Sequence, residues 1–406
     1  MTVEAGPATL KRSVGLVTLT FYGLGNIMGA GIYVLLGPMA EHAGMFTPIA
    51  FLGAAIVAMF SMLTYAELTA RFPVSAGEAV YVQEGLRIAP LSLLVGLLVT
   101  ASGIVASAAI IRGVYGYIQL FLDLHYALIV IGLVLTLGLL AIWGIAESAG
   151  AAALLTGVEI FGLLLVIWGG GDTLAASPAR LGELLPDLQP HTWAAILPAT
   201  FLAFFAFLGF EDMVKLAEEV KRPTRNLPLA ILLALGVSTT LYLLVALVSV
   251  LTLEPAQLAA SKAPLAEVFR RATGYQGSLL SLIGTLAVFN GALVPMITAS
   301  RVLYGMAAKG MLWRRLAFIH PRTRTPIIST ALVIGMVLVL ALWLPVENLA
   351  AGTSYLILCV FTLINASLIA IKRREGGDRA GGHYPLWVPI AGLATSVGLL
   401  LAQVIG

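Results

Sequence analysis

Four ionisable side chains stand where the surrounding sequence is apolar. Glu211 and Asp212 are adjacent within FLAFFAFLGFEDMVKLAEEV, Lys215 follows one helical turn later, and Glu159 stands alone in AAALLTGVEIFGLLLVIWG. A charge at the centre of a hydrocarbon layer costs about 2.5–3.5 kcal/mol even on the lenient insertion scale, so such groups face a cavity or a charged partner and mark function. Glu211–Lys215 and Lys215–Glu219 have i,i+4 spacing, so either pair can neutralise itself on one helix face.

A second kind of chemistry lies in the backbone. Gly23, Gly25, Gly29 and Gly31 crowd into GLGNIMGAGIYVLLG, and each glycine weakens a helix by about 1 kcal/mol. The stretch around Gly29-Ala30-Gly31 is therefore a candidate break, although Gly25 and Gly29 also form a GxxxG packing pair. Gly209, just before Glu211, marks a second one. A broken helix presents free N–H groups at the start of one half and free carbonyls at the end of the other, which attract a carboxylate and an ammonium respectively.

The elements that hold these groups are membrane helices. The chain of 406 residues is 60% hydrophobic and 11% charged, against roughly 45–50% and 25% in a soluble domain. Apolar runs bounded by charges or Pro/Gly clusters place about eleven spans, at about 16–39, 46–70, 90–119, 126–145, 151–170, 195–217, 228–252, 277–307, 326–344, 347–371 and 385–405. The segment from Ala76 to Leu86, with Glu78 and Glu84 around Val80-Tyr81-Val82, reads as an interfacial helix. No room is left for a soluble catalytic domain. The lone Cys359 permits neither an intrachain disulfide nor a thiolate metal site. His42, His125, His191, His320 and His383 fall in loops or at span ends, and there is no HExxH, P-loop or Ser/His/Asp arrangement. The reading is of a protein that is not an enzyme and takes no metal or cofactor.

Orientation follows the basic loops. With the N-terminus inside, the cytoplasmic side collects Lys11, Arg12, Arg71 and Arg87, the basic residues of 215–225, 301–324 and 372–379, whereas the other side keeps Arg112, Arg180, Lys262, Arg270 and Arg271. An odd span number then leaves the C-terminus outside, in a multi-pass protein of a cell membrane, of the bacterial inner-membrane type. The net charge of +3 reflects loops facing anionic lipid and gives no sign of a nucleic-acid partner.

Five crossings separate the two breaks, so spans one and six enter from opposite sides. That is the pattern of an inverted repeat with a binding site between the broken helices, suited to a zwitterionic head group. The repeats cover about 14–171 and 193–372 of a single 1–406 domain, with the span at about 385–405 outside them.

With those stretches in view, the chain resembles the amino acid–polyamine–organocation transporter superfamily. The resemblance rests on GNIMGAGIYVLLG, YAELTARFPVSAGEAVYV, FFAFLGFEDMVKLAEEVKRPTRNLP, and ASRVLYGMAAKG followed by HPRTRTP, in family order along nearly the whole chain. It implies an all-α membrane protein with the leucine-transporter fold: a 5+5 inverted repeat, broken helices 1 and 6, and one extra C-terminal span. It further implies Met28, Gly29, Ala30 and Gly31 at the substrate carboxylate and the carbonyls of Ile27, Phe205 and Leu208 near its amino group. Phe205 or Phe207 is the implied aromatic lid. Gly209 belongs to the second break and Glu211 either contacts the substrate ammonium or pairs with Lys215. The glycine stretch is similar to that of arginine/agmatine antiporters, which stack a guanidinium on an aromatic of span eight. Here ALVPM supplies Leu293, Val294, Pro295 and Met296 instead, which counts against a cationic substrate.

Many members of the superfamily carry a lysine in mid-span five, and this chain has Glu159 there. Counted from Ala151 it lies about 12 Å along a helix rising about 1.5 Å per residue, near the bilayer centre. Burial favours its protonated form, so Glu159 is the expected carrier of a coupling proton. A structural hydrogen bond, a sodium ligand and contact with a cationic substrate are the alternatives. The expected function is alternating-access transport of L-amino acids, small neutral ones first, with proton coupling. Exchange of cationic amino acids or polyamines is the alternative within the class, and a channel or a membrane-embedded enzyme the alternative outside it.

Overall fold

A computed structural model of the protein describes residues 12–29, 31–73, 77–143, 149–176, 178–308, 310–376 and 384–405. Among these, backbone pairing outside helices and turns is confined to a bridge between Val14 and Val220. The helices run α1 (Leu16–Met28), α2 (Gly31–Ala43), α3 (Thr47–Arg71), α4 (Gly77–Leu86), α5 (Ala89–Gln119), α6 (Tyr126–Trp143), α7 (Ala149–Gly169), α8 (Gly171–Ala176) and α9 (Pro190–Phe205). They continue with α10 (Pro223–Thr252), α11 (Pro255–Ala260), α12 (Pro264–Thr273), α13 (Ser278–Val288), α14 (Val294–Ala308), α15 (Ile327–Trp343), α16 (Val346–Arg374) and α17 (Trp387–Ile405).

Among the described residues, eight helical stretches are long and apolar enough to cross a membrane, the first being the 56-residue stretch Leu16–Arg71 that contains α1, α2 and α3. α15 and α17 are apolar but shorter. Large side chains such as Leu139, Leu154, Trp168 and Trp343 point outward and stay more than 60% exposed. Water would disfavour that surface and hydrocarbon accepts it.

Both candidate breaks are real interruptions. α1 stops at Met28, where the Gly29 N–H closes the last turn on the Gly25 carbonyl, and α2 starts at Gly31. α9 stops at Phe205 and the chain passes through Gly209, at φ +112°, into a 3-10 turn over Phe210–Leu216. That φ is open to glycine and strained for any other residue. A third irregularity has no counterpart in the sequence reading: between α13 and α14 the chain forms a π turn over Phe289–Leu293. Pro295 lacks an N–H for the preceding turn, and the Ser107 hydroxyl donates to the Ala292 carbonyl at 2.9 Å.

The breaks are packed backbone to backbone. A Cβ on Gly209 would sit 2.5 Å from the Asn26 carbonyl oxygen, one on Gly29 would sit 2.9 Å from the Gly291 Cα, and one on Gly31 3.1 Å from the Ala206 Cα. Small-residue packing and helix interruption are thus both at work at Gly29. Around this knot α1 lies on α10 and α7, α3 on α10, α16 on α5, and α17 on α16 and α3.

Two features of α3 and α4 depart from expectation. Glu67 pairs with Arg71 as its i,i+4 spacing predicts (2.7 Å), but it also holds Lys372 of α16 at 2.9 Å. Lys372 is buried and donates in turn to the Tyr384 carbonyl, while the Tyr384 N–H points to Glu67 at 3.3 Å. α4 forms as expected, yet Glu78, Tyr81 and Val82 are buried against the protein, so it is a packed element with few groups left for an interface.

Candidate functional site

The three irregular turns meet at one small cavity of about 70 Å³, room for a few waters. Ile27 and Gly29 from the end of α1, Gly31 from the start of α2, and Phe205 from the end of α9 line it. Leu208, Gly209, Glu211, Asp212 and Lys215 follow along the second break, and Gly291 and Pro295 come from the π turn and α14. Two helix carboxyl ends and one helix amino end therefore converge on the same space. Free carbonyls at a helix end favour a cation and free N–H groups at a helix start an anion; here the Ile27 carbonyl already accepts the Tyr242 hydroxyl and the Phe205 carbonyl the Leu208 N–H.

Most of the sequence-derived site residues come together here. Ile27, Gly29, Gly31, Phe205, Leu208, Gly209 and Glu211 line the cavity. Met28 and Phe207 are fully buried and do not line it, the Phe207 ring standing edge-on to Tyr242 with centroids 5.2 Å apart. Of the two lid candidates only Phe205 reaches the cavity. Ala30 lies outside the described residues. No aromatic of α14 lines the cavity.

The charges are arranged differently from either i,i+4 pairing. Lys215 forms an ion pair with Asp212, three residues before it. Glu211 turns back on its own chain, its Oε2 accepting the Gly209 N–H at 2.9 Å, so one carboxylate oxygen fastens the break. Below Lys215 a second cavity opens, lined by Glu78, Glu219 and Arg301 among others. Lys215 lines both cavities and so stands in the partition between them. Burial pushes the Glu78 carboxyl above its ordinary pKa; Lys215 opposes that shift and Asp212 adds to it.

Glu159 does not line the central cavity. It is buried on α7, which packs against α10, and its backbone carbonyl accepts the Tyr33 hydroxyl at 3.0 Å. Tyr242 of α10 then connects this region to the site. Its hydroxyl lies 2.8 Å from the Ile27 carbonyl and 3.0 Å from the Ala206 carbonyl, one at each break.

Sequence reasoning missed Tyr242, whose position in an apolar run gives no pattern, and Asn26, whose buried Nδ2 has no hydrogen-bond partner among the described residues although the side chain lines the cavity. It also missed Ser102, Thr298 and Thr353 on the wall. The Asn-Gly pair at 290–291 shortly before Pro295 was the available signal for the π turn.

Comparison with known proteins adds an independent line. The family model for amino acid permeases matches residues 14–406. An uncharacterized transporter of Mycobacterium tuberculosis is 31% identical over 402 residues, spanning 98% of this chain and 87% of that protein. A branched-chain amino acid permease of Bacillus subtilis is 28% identical over 401 residues, spanning 91% of this chain and 83% of that one. A vacuolar cationic amino acid transporter of Arabidopsis thaliana is 30% identical over 391 residues, spanning 90% of this chain and 64% of its own length.

Proposed function

The chain belongs to the amino acid permease family of the amino acid–polyamine–organocation superfamily, and from that premise we propose that it transports small neutral L-amino acids across a cell membrane by alternating access, coupled to protons. It is a multi-pass membrane protein of amino acid transport. The observation that carries the proposal is the convergence of the α1 and α9 carboxyl ends and the α2 amino end on one cavity. We read the helices as eleven crossings: two inverted five-span repeats at about 14–171 and 193–372, then α17, with the N-terminus cytoplasmic and the C-terminus outside. In this reading the amino acid carboxylate lies at Gly29, Ala30 and Gly31, its ammonium at the carbonyls of the two breaks, and its side chain between Phe205 and the wall of α5 and α14.

Neutral substrates are favoured by the state of the acidic groups. Asp212 is matched by Lys215 and Glu211 is drawn to the Gly209 N–H. A cationic substrate, or exchange of polyamines, is the second reading, supported by the presence of two carboxylates on the cavity wall and by the likeness to the cationic amino acid transporter of Arabidopsis thaliana.

Glu159 is assigned the coupling proton. The support is its burial on α7, packed against α10, whose Tyr242 bridges both breaks. Uptake of a panel of labelled amino acids and amines into proteoliposomes tests the whole reading. Neutral amino acids are expected to accumulate under an inward proton gradient, and a protein that takes up no amino acid overturns the proposal. Glu159→Gln imitates the protonated group, so it should keep counterflow exchange and lose gradient-driven accumulation. A Gln variant that still concentrates substrate removes Glu159 from coupling, and a sodium requirement of the wild type reassigns it to sodium.

A further inference from the structure

Among the residues on the cavity wall, Lys215 is the one fixed cation facing the substrate space, and its position is unusual. It sits in the partition between the central and inner cavities, paired with Asp212, with side-chain exposures of 23% and 9%. On the inner side Glu78 is 4% exposed, its Oε1 has no hydrogen-bond partner among the described residues, and it and Lys215 feel each other's charge. Lys215 thus has its ion-pair partner on the central side of the partition and a second buried carboxylate on the inner side.

We infer that the Lys215 ammonium is a built-in occupant of the place where a substrate's cationic side chain would bind, and that it makes the site selective for neutral amino acids. The inference rests on the amino acid permease reading and names the residue that sets its substrate class. The physical argument has two parts. With Asp212 paired to Lys215, the wall leaves an ammonium or guanidinium on the substrate only Glu211, one oxygen of which the Gly209 N–H already holds. The substrate cation also meets a like charge held close by in a poorly hydrated space, and a repulsive element of this kind discriminates as strongly as an attractive one. Removing Lys215 alone inverts both terms, because it leaves Asp212 buried and unpaired, which is costly until a cation arrives. The incoming cation is then supplied by the substrate.

The test compares uptake of labelled L-lysine and L-valine by proteoliposomes of wild type, Lys215→Met, and the double variant Lys215→Met/Asp212→Asn. In Lys215→Met the ratio of L-lysine to L-valine uptake should rise about tenfold or more, the scale of one charge-assisted contact. In the double variant the ratio should fall back to that of the wild type, since the vacated carboxylate is gone. An unchanged ratio in Lys215→Met, or a gain that survives Asp212→Asn, overturns the inference. If Lys215→Met does not yield monodisperse protein, Lys215→Gln, which still hydrogen-bonds Asp212, should shift the ratio in the same direction, and an unshifted ratio there is equally decisive. A wild type that prefers L-lysine overturns the inference and leaves the permease reading intact. A wild type that moves neither overturns the reading itself, and the inference with it.

Discussion

At the scale of single residues, the site depends on groups that lie behind its wall as much as on those that line it. Tyr242 is the clearest case, since its hydroxyl serves a carbonyl at each break. Tyr242→Phe removes that donor without changing the ring packed on Phe207 and Phe51. It should cost about 1–3 kcal/mol of stability and lower transport more than substrate binding; denaturant unfolding in detergent and paired binding and uptake assays check this, and unchanged uptake contradicts it. Glu78 supplies a pH signature. Burial raises its pKa in the folded protein, so its contribution to stability is full below the unfolded value and is lost as pH rises through the folded one. Glu78→Gln should therefore raise the melting temperature relative to wild type at neutral pH and lose that advantage in acid; a difference that does not vary with pH would contradict the assignment. Carboxylates inside apolar runs are visible in a sequence because they violate its pattern. Tyr242 and Met28 are not, because nothing in a run of apolar letters tells which face meets the cavity.

At the scale of elements, both helix breaks were legible from glycine density and from the carboxylates beside Gly209, because a helix interrupted in an apolar run leaves its mark in composition. What the glycines are for was only half legible. Gly29 and Gly31 read as openings for a ligand, whereas the structure also shows them pressed on Gly291 and Ala206, so bulky substitutions there disturb packing along with binding. Gly209 carries both a left-handed backbone and a contact with Asn26. Gly209→Ala should therefore destabilise the protein by about 1–3 kcal/mol and reduce uptake, measured by thermal unfolding and proteoliposome transport. Full activity with unchanged stability would show that the second break does not need this conformation. The π turn escaped notice for a physical reason: one extra residue in a helix shifts the register of its face without changing its apolar character.

At the scale of the whole molecule, membrane character and helical class follow from composition, and the family from four stretches in order. The long-range ties did not. Glu67 and Arg71 announce themselves by spacing, but Lys372 is 305 positions from Glu67 in the chain and only the fold brings it there. This cluster fastens α3 to α16 and, through Tyr384, to the approach of α17. Lys372→Met should cost about 1.5–3 kcal/mol, the value of a buried hydrogen bond to a charge. Glu67→Gln should cost more, because it strips the shared anion from two cations at once. Unfolding curves of the two variants that coincide with wild type would mean that the cluster is ornamental.

The Tyr242 hydroxyl has a further consequence. It owns a single proton and has two acceptors within reach, 2.8 Å and 3.0 Å away. At any instant one of those carbonyls goes without it, so the two halves of the site compete for the same donor. Were α1 and α9 to part, the movement would decide the contest, and the deserted carbonyl would be the stronger acceptor for an ammonium or a water. With a net worth of about 0.5–1.5 kcal/mol per hydrogen bond, the outcome shifts populations by roughly two- to tenfold. A bias of that size is one that thermal motion can reverse, which suits a shuttle better than a lock.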